Sequence, residues 1–355
     1  MASLLSPIRV SLRLKAKRFG PYGFLLLFAL TAALWLKTEP LIQPTHAQSI
    51  NLYSNQAGDD LRKTFTNAIL KAQKSIVCII YSLTDDEIVA ALNYAAGRNV
   101  QITVVCDAVA TQHIAHKLAP SITLVPVRRK GLMHNKLLAI DNQISWLGSC
   151  NFTRDSLLCH ANLVTGIWSE TIASAIQKKA EDLQRPRSAN KQAIPSATVS
   201  CNESHFELLF LPDEKRALDK VVSLLQTAEK SVKVAMFTFT HPRLIQTLID
   251  LHRKGITVEV VLDSDSSRKT SRIALERLKR EKVHVLTSRR EGLLHEKVAI
   301  IDDAILIGGS ANWTKAAFSA NDEHIFVLHN IPQELKKKLT LFWNTTIREA
   351  VAQAV

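Results

Sequence analysis

The 355-residue sequence contains no C-x-x-C pair. Its five cysteines, Cys78, Cys106, Cys150, Cys159 and Cys201, lack the spacing of a zinc site, which argues against the small zinc-stapled folds. Cys78 and Cys106 fall in apolar runs where a buried thiol is expected. An exported chain could pair two of the five, and the odd count then leaves at least one unpaired. Acidic residues are also in short supply, 32 against 45 basic ones, for a formal charge of +13. A surface of that sign draws anionic partners such as nucleic acid, acidic lipid head groups or phosphate esters.

Long apolar runs are missing as well, with one exception. Gly20 to Leu36 is uncharged and Leu-rich, follows a basic start that includes Arg9, Arg13, Lys15, Lys17 and Arg18, and precedes Thr45-His46-Ala47, a passable cleavage site. That is how a secretory signal or a signal anchor reads, and the run is just long enough to span a bilayer. The expectation is therefore a signal peptide or membrane anchor over 1–47, and a protein that is either exported (periplasmic or secreted) or anchored through residues 20–36. No second run of this kind follows, so the remainder is expected to be soluble, and it stays basic without the first 47 residues.

What is present is repetition. Strand-like runs at Ser75 to Tyr81, Val100 to Asp107 and Ile122 to Val127 alternate with helical spacing at Asp59 to Ala72, Asp85 to Ala96 and Ala110 to Leu118. The plan returns as a helix over Asp213 to Thr227, a strand over Ser231 to Phe237, a helix over Leu244 to Arg253 stopped by Gly255, and a strand over Val258 to Asp263. Alternation of this kind predicts an α/β fold of two fused repeats, each a mostly parallel sheet flanked by helices. The repeats are placed at 48–184 and 205–355. The Pro-, Ser- and Lys-rich stretch at 185–204 is read as the linker.

The most specific signal is a pattern that occurs twice without a gap: His-x-Lys, four residues, Asp, six residues, Gly-Ser-x-Asn. His134, Lys136, Asp141, Gly148, Ser149 and Asn151 (within 128–155) correspond to His295, Lys297, Asp302, Gly309, Ser310 and Asn312 (within 289–316). On a strand, His and Lys two apart share a face, so each copy offers an imidazole and a cation to one pocket. Asp141 and Asp302 are expected to be structural, bonding backbone or a turn, and Gly148 and Gly309 to allow close backbone approach. Arg128, Arg129, Lys130, Arg289 and Arg290 precede the two histidines and are read as recruiting an anionic substrate.

The doubled pattern resembles the phospholipase D superfamily, whose members cleave phosphodiesters in phospholipids or nucleic acids. The resemblance implies that the two copies meet in one active site, with His134, Lys136, Ser149 and Asn151 facing His295, Lys297, Ser310 and Asn312. One His attacks phosphorus to form a phosphohistidine and the other protonates the leaving oxygen. The lysines would supply the fixed charge that many phosphoryl-transfer sites draw from a metal, so neither metal nor other cofactor is expected. Glu323 falls where the resemblance implies a carboxylate that orients the motif His; the matching residue of the first half is Asn162, with Asp155 or Glu170 as candidate substitutes. This suggests His295, backed by Glu323, as the protonated acid and His134 as the neutral nucleophile.

The function expected is phosphodiester hydrolysis, first of phospholipid. A nonspecific endonuclease, a cardiolipin synthase-like phosphatidyltransferase and a non-catalytic module for anionic ligands are the alternatives. Because the chain carries both copies, a monomer should complete the site.

Overall fold

A computed structural model describes residues 43–185 and 193–351. The apolar run at 20–36 and the rest of the expected signal or anchor up to residue 42 lie outside the described residues. Among the described residues no helix is long and apolar enough to cross a membrane.

Each repeat builds one sheet. The first repeat contributes β1 (Ile50–Ser54), β2 (Ser75–Ile80), β3 (Gln101–Asp107), β4 (Thr123–Val127), β5 (Lys136–Ile140), β6 (Ile144–Gly148) and β7 (Leu163–Trp168), in the order β1-β7-β6-β5-β2-β3-β4. The second contributes β8 (Ala197–Cys201), β9 (Ser204–Leu211), β10 (Ser231–Met236), β11 (Thr257–Leu262), β12 (His284–Thr287), β13 (Lys297–Ile301), β14 (Ile305–Gly309) and β15 (Glu323–His329), in the order β12-β11-β10-β13-β14-β15-β9-β8. Apart from β8 the two orders are the same, so the repetition in sequence is repetition in topology.

The α/β class and the two fused repeats hold, while the expected mostly parallel sheets are mixed. Among the named strands parallel pairing is confined to β2-β3-β4 and β10-β11-β12, whose crossovers run through α-helices except between β3 and β4. The motif strands pair antiparallel because Asp141-Asn142 and Asp302-Asp303 take left-handed backbone and turn β5 into β6 and β13 into β14 within a few residues. The predicted linker is also shorter than read. Residues 186–192 lie outside the described residues, and 197–201 form β8, whose backbone pairs with β9.

The helices are α1 (Leu61–Lys71), α2 (Asp86–Gly97), α3 (Arg154–Leu158), α4 (Glu170–Gln184), α5 (Ala217–Gln226), α6 (Pro242–Arg253), α7 (Ser264–Arg268), α8 (Arg272–Arg280), α9 (Lys315–Ser319) and α10 (Gln333–Val351). Side-chain oxygens start several of them: Asp60 accepts from the Lys63 amide, Asp85 from Ile88 and Ser169 from Ile172. The helix expected over Ala110 to Leu118 reduces to one 3-10 turn at Ala115–Lys117. Asp107 takes the Val109 and Ala110 amides in a tight turn instead.

Both faces of each central strand are buried, which is why the strands read as continuous apolar runs. Ile76, Cys78 and Ile80 of β2 pack outward with α1 and α2, and Val77 and Ile79 pack inward. Val232, Val234 and Met236 of β10 join α5, α6 and α8 on the opposite outer face. The inward faces of both sheets share one cluster with α4 and α10, including Leu137, Val298, Ile176, Phe342 and Trp343. That shared core fixes the two motif copies relative to each other.

Candidate active site

The two halves meet backbone to backbone just before each motif histidine. The His134 amide donates to the Asp322 carbonyl (2.8 Å) and the His295 amide to the Ala161 carbonyl (2.9 Å). Asp107 and Asp263, at the ends of β3 and β11, accept the amides of Met133 (3.2 Å) and Leu294 (3.0 Å). Each histidine is thus held by a carboxylate of its own repeat and a carbonyl of the other. The in-register Asp107 and Asp263 were visible in sequence, but nothing there assigned them this role.

His134 and His295 are both 7% exposed, and Lys136 and Lys297 are 3% exposed. Each lysine donates from Nζ to the carbonyl of its own motif histidine at 2.5 Å, and lies over an aromatic ring, Tyr81 (5.2 Å) or Phe237 (4.9 Å). The same rings flank the imidazoles, with centroids 4.9 Å apart for Tyr81–His134 and 5.1 Å for Phe237–His295. Burial pushes Lys136 down to about 7, and takes Lys297 well below the usual lysine value with help from Lys136. An anion seated between these groups would restore the charge that burial opposes.

The partners of the histidines cross between repeats, which corrects the sequence expectation. Glu323 Oε2 lies 2.8 Å from His134 Nδ1, and Asn162 Oδ1 lies 3.1 Å from His295 Nδ1. Glu323 therefore backs the first-repeat histidine and not His295. Sequence spacing counted along one repeat could not reveal a hydrogen bond to the other. Neither proposed substitute replaces Asn162, since Asp155 and Glu170 are exposed. Asn162 turns its Nδ2 to the Ser156 carbonyl (2.8 Å), which leaves Oδ1 as the acceptor for His295. Both rings consequently carry hydrogen on Nδ1 and keep Nε2 for chemistry.

Burial lowers the pKa of His134, and the Glu323 carboxylate opposes that shift. His295 has no such opposition: burial, then Lys297, Lys136 and His134, hold it well below the ordinary histidine value. The motif serines hold these partners in place. Ser149 Oγ donates to Asn162 Oδ1 (2.8 Å), and Ser310 Oγ to Glu323 Oε2 (2.6 Å). Asn312 Oδ1 accepts the Thr238 amide (3.1 Å), whereas the Asn151 Oδ1 is buried with no hydrogen-bond partner among the described residues.

Asp141 accepts the amides of Gln73, Lys74 and Ser75, and Asp302 those of Glu229, Lys230 and Ser231, so both tie the motif hairpin to the start of its neighbouring strand. A Cβ at Gly148 or Gly309 would run into the carbonyl of Leu163 or His324. The basic cluster divides. Arg129 is turned inward to the Leu183 and Arg185 carbonyls and to Asp322, and Arg290 to the Cys159 carbonyl and Glu349. These two side chains are taken up in contacts that join the repeats, while Arg128, Lys130 and Arg289 are exposed. All five thiols are free. Among the described residues no group of three or more His, Cys, Asp or Glu converges as a metal site requires.

The profile of the family described as "Cardiolipin synthase, PLD-like domain" matches residues 65–184 and 221–343, more than half of the chain. The chain belongs to the phospholipase D-like family. The two matches coincide with the two repeats, and the family's chemistry is that of phosphodiesterases and phosphatidyltransferases. Mitochondrial cardiolipin hydrolase of Chlamydomonas reinhardtii is 27% identical over 164 residues, 40% of this chain and 73% of that protein. The human protein of the same name is 34% identical over 118 residues, but these cover only 46% of its length and 33% of this chain. Cardiolipin synthase B of Salmonella typhi aligns more widely, 24% identical over 310 residues, 77% of this chain and 75% of that one. Among solved structures, phosphatidylserine synthase of Haemophilus influenzae superposes with a TM-score of 0.65 over 90% of both chains at 16% identity, which speaks for the shared fold.

Proposed function

We propose that this phospholipase D-like enzyme cleaves a phosphodiester of an anionic phospholipid and passes the phosphatidyl group to water through a covalent intermediate on His134. The observation that carries the reading is the unequal backing of two histidines from different repeats: a carboxylate for His134, an amide for His295. A ring bonded to phosphorus at Nε2 and protonated at Nδ1 holds a positive charge, which a carboxylate stabilises and an amide does not. A ring that must surrender a proton is a stronger acid without a carboxylate. His134 is thus the nucleophile and His295 the general acid. The roles match those first expected, but Glu323 now serves the nucleophile.

His134 Nε2 forms a bond to phosphorus as the bond to the leaving oxygen breaks, and His295 gives that oxygen its Nε2 proton. Water then attacks, its proton passes to His295, and His134 departs as a neutral ring still donating to Glu323. Lys136 and Lys297 neutralise the charge that grows on the other phosphorus oxygens, where fixed cations lower the barrier most.

Lipid is favoured over nucleic acid by two features. Leu132 and Leu158, 44% and 40% exposed, lie in the segments that lead into His134 and His160, and the first of these segments also carries the exposed Arg128 and Lys130. The relatives that align are named for cardiolipin hydrolysis and synthesis. An anchor formed by residues 20–36 would keep such an enzyme at a membrane.

The test is to incubate the purified full chain, beside His134→Ala, with cardiolipin vesicles, phosphatidylglycerol vesicles and single-stranded DNA, with and without added glycerol. Release of phosphatidic acid by the wild type alone supports the reading. Cleavage of DNA only would replace lipid with nucleic acid, and glyceryl esters as the sole product would replace hydrolysis with transfer.

A further inference from the structure

The pseudo-twofold relation breaks at a position next to the catalytic rings. In the second repeat Asn321 donates from Nδ2 to Glu323 Oε1 (3.2 Å) and accepts the Leu132 amide (3.1 Å), and so belongs to the support of His134. The residue in the same motif position of the first repeat is His160. Its ring lies 6.1 Å from that of His295, centroid to centroid, at an interplanar angle of 48°. The backbone there is fixed by the His160 amide bonding to the Asp155 carbonyl (2.8 Å). The ring itself makes no hydrogen bond among the described residues and is half-buried.

In an in-line displacement at phosphorus, the side opposite the nucleophile receives first the leaving oxygen and then the oxygen that replaces it. With His134 as nucleophile, that side is the His295 side. We infer that His160 is an acceptor-site residue whose ring nitrogens bind the hydroxyl of the leaving alcohol and then the water or alcohol that attacks the phosphohistidine. Its surroundings suit a hydroxyl rather than a second phosphate. The charged and titratable groups that bear on it are Asp155 on the helix just before it, Arg290, Lys297 and Asp263 from the second repeat, and His295, and burial with the two cations favours the neutral ring. A neutral imidazole both donates to and accepts from an O–H group. In the second step the incoming O–H gives its proton to His295 Nε2 as its oxygen bonds phosphorus and the bond from His134 Nε2 to phosphorus breaks, so His160 orients the reactant and takes no net proton.

The inference rests on the roles proposed for His134 and His295, and the experiment separates the two. Bis(4-nitrophenyl) phosphate is turned over by the full chain in the presence of glycerol, and the ratio of glyceryl nitrophenyl phosphate to nitrophenyl phosphate is measured. That ratio depends only on how the intermediate breaks down, not on how fast it forms. His160→Asn and His160→Phe should each change it by about threefold or more, the scale of one hydrogen bond. Asn already occupies the corresponding backbone position at 321, so the first variant is compatible with the local fold. An unchanged ratio in both variants overturns the assignment of His160 and leaves the histidine roles standing. A phosphoryl group mapped to His295 overturns the roles, and with them the acceptor side.

Discussion

Nδ1 of His134 lies 2.8 Å from Oε2 of Glu323, a residue of the other repeat. The same oxygen accepts the Ser310 hydroxyl at 2.6 Å, so the carboxylate is held by its own motif while it serves the opposite histidine. Neither repeat alone contains both His134 and the carboxylate that backs it. Glu323→Gln keeps the shape and removes the charge that the phosphorylated ring needs. It should lower kcat by up to about 10⁴-fold, the loss found when the carboxylate partner of a catalytic histidine becomes an amide. Rapid-quench measurement should place the loss in formation of the phosphoenzyme; an unaltered rate of that step would remove Glu323 from this role.

Asn162→Asp makes the opposite change on the acid side. His295 is held well below the ordinary histidine value because burial and the two lysines act on it without a nearby carboxylate. An aspartate at 3.1 Å favours the imidazolium, so the ring loses its proton at higher pH. Since the acid must be protonated to work, the alkaline limb of the pH–kcat profile should move upward by about one unit or more. A limb that stays in place, or moves down, would contradict His295 as the acid.

Lys136 should leave its own mark on kcat/KM, which reports the free enzyme. Burial brings its pKa down to about 7, with Glu323 pulling the other way. The ammonium that holds the phosphate is therefore lost as pH rises through about 7, and kcat/KM should fall over that interval. Lys136→Met should lose about 10²–10³-fold at pH 6, as for removal of one fixed transition-state donor, and should flatten the limb. A profile with the limb intact in the variant would assign it to another group.

Much of this site is legible in the sequence because the chain states it twice. The six motif positions need only fixed spacing along a hairpin, and spacing is what a sequence records. The crossed partners are a different matter. Asn162 and Glu323 stand at matching places, yet each bonds the histidine of the other repeat, a relation set by how α4, α10 and the two sheets share a core. The contacts of Arg129 and Arg290 with the other repeat are hidden from the sequence for the same reason. A pair of arginines near a histidine looks like a surface patch until the carbonyls of Leu183 and Cys159 are found against them. Strand direction is not legible either, because the hairpin at Asp141-Asn142 reverses the chain through left-handed backbone that periodicity does not record.

Lys179 tests how strongly the shared core aligns the site. It is fully buried on α4, with Nζ 2.8 Å from Asp213 and 3.3 Å from Asp322 in the second repeat. Asp322 in turn supplies the carbonyl that receives the His134 amide. Lys179→Met would leave buried carboxylates without their ammonium, which costs about 3–5 kcal/mol where one member of a buried pair is removed. Urea unfolding should show that loss, and the folded variant should also lose kcat because His134 shifts. Wild-type stability in the variant would show that the cluster does not join the repeats.

Glu296 offers a prediction in which the sign of the pH effect decides. It stands between His295 and Lys297, is fully buried, and neither carboxyl oxygen has a hydrogen-bond partner among the described residues. Burial first, and then Glu349, raise its pKa from 4.5 to about 8, against the pull of Arg290 and Lys297. A carboxyl whose folded value exceeds its unfolded one stabilises fully below the unfolded value, and that contribution is lost as pH rises through the folded value. Glu296→Gln cannot ionise, so its stability relative to wild type should grow between pH 5 and 8 by up to ~1.4 kcal/mol per unit, then level off. Denaturant unfolding of both proteins at pH 5, 7 and 9 measures this directly, and a difference independent of pH would mean that Glu296 is solvated or paired. The first repeat already shows that a neutral group suits the place: its counterpart, Asn135, is fully buried and its Oδ1 lies 3.2 Å from Nδ1 of His324.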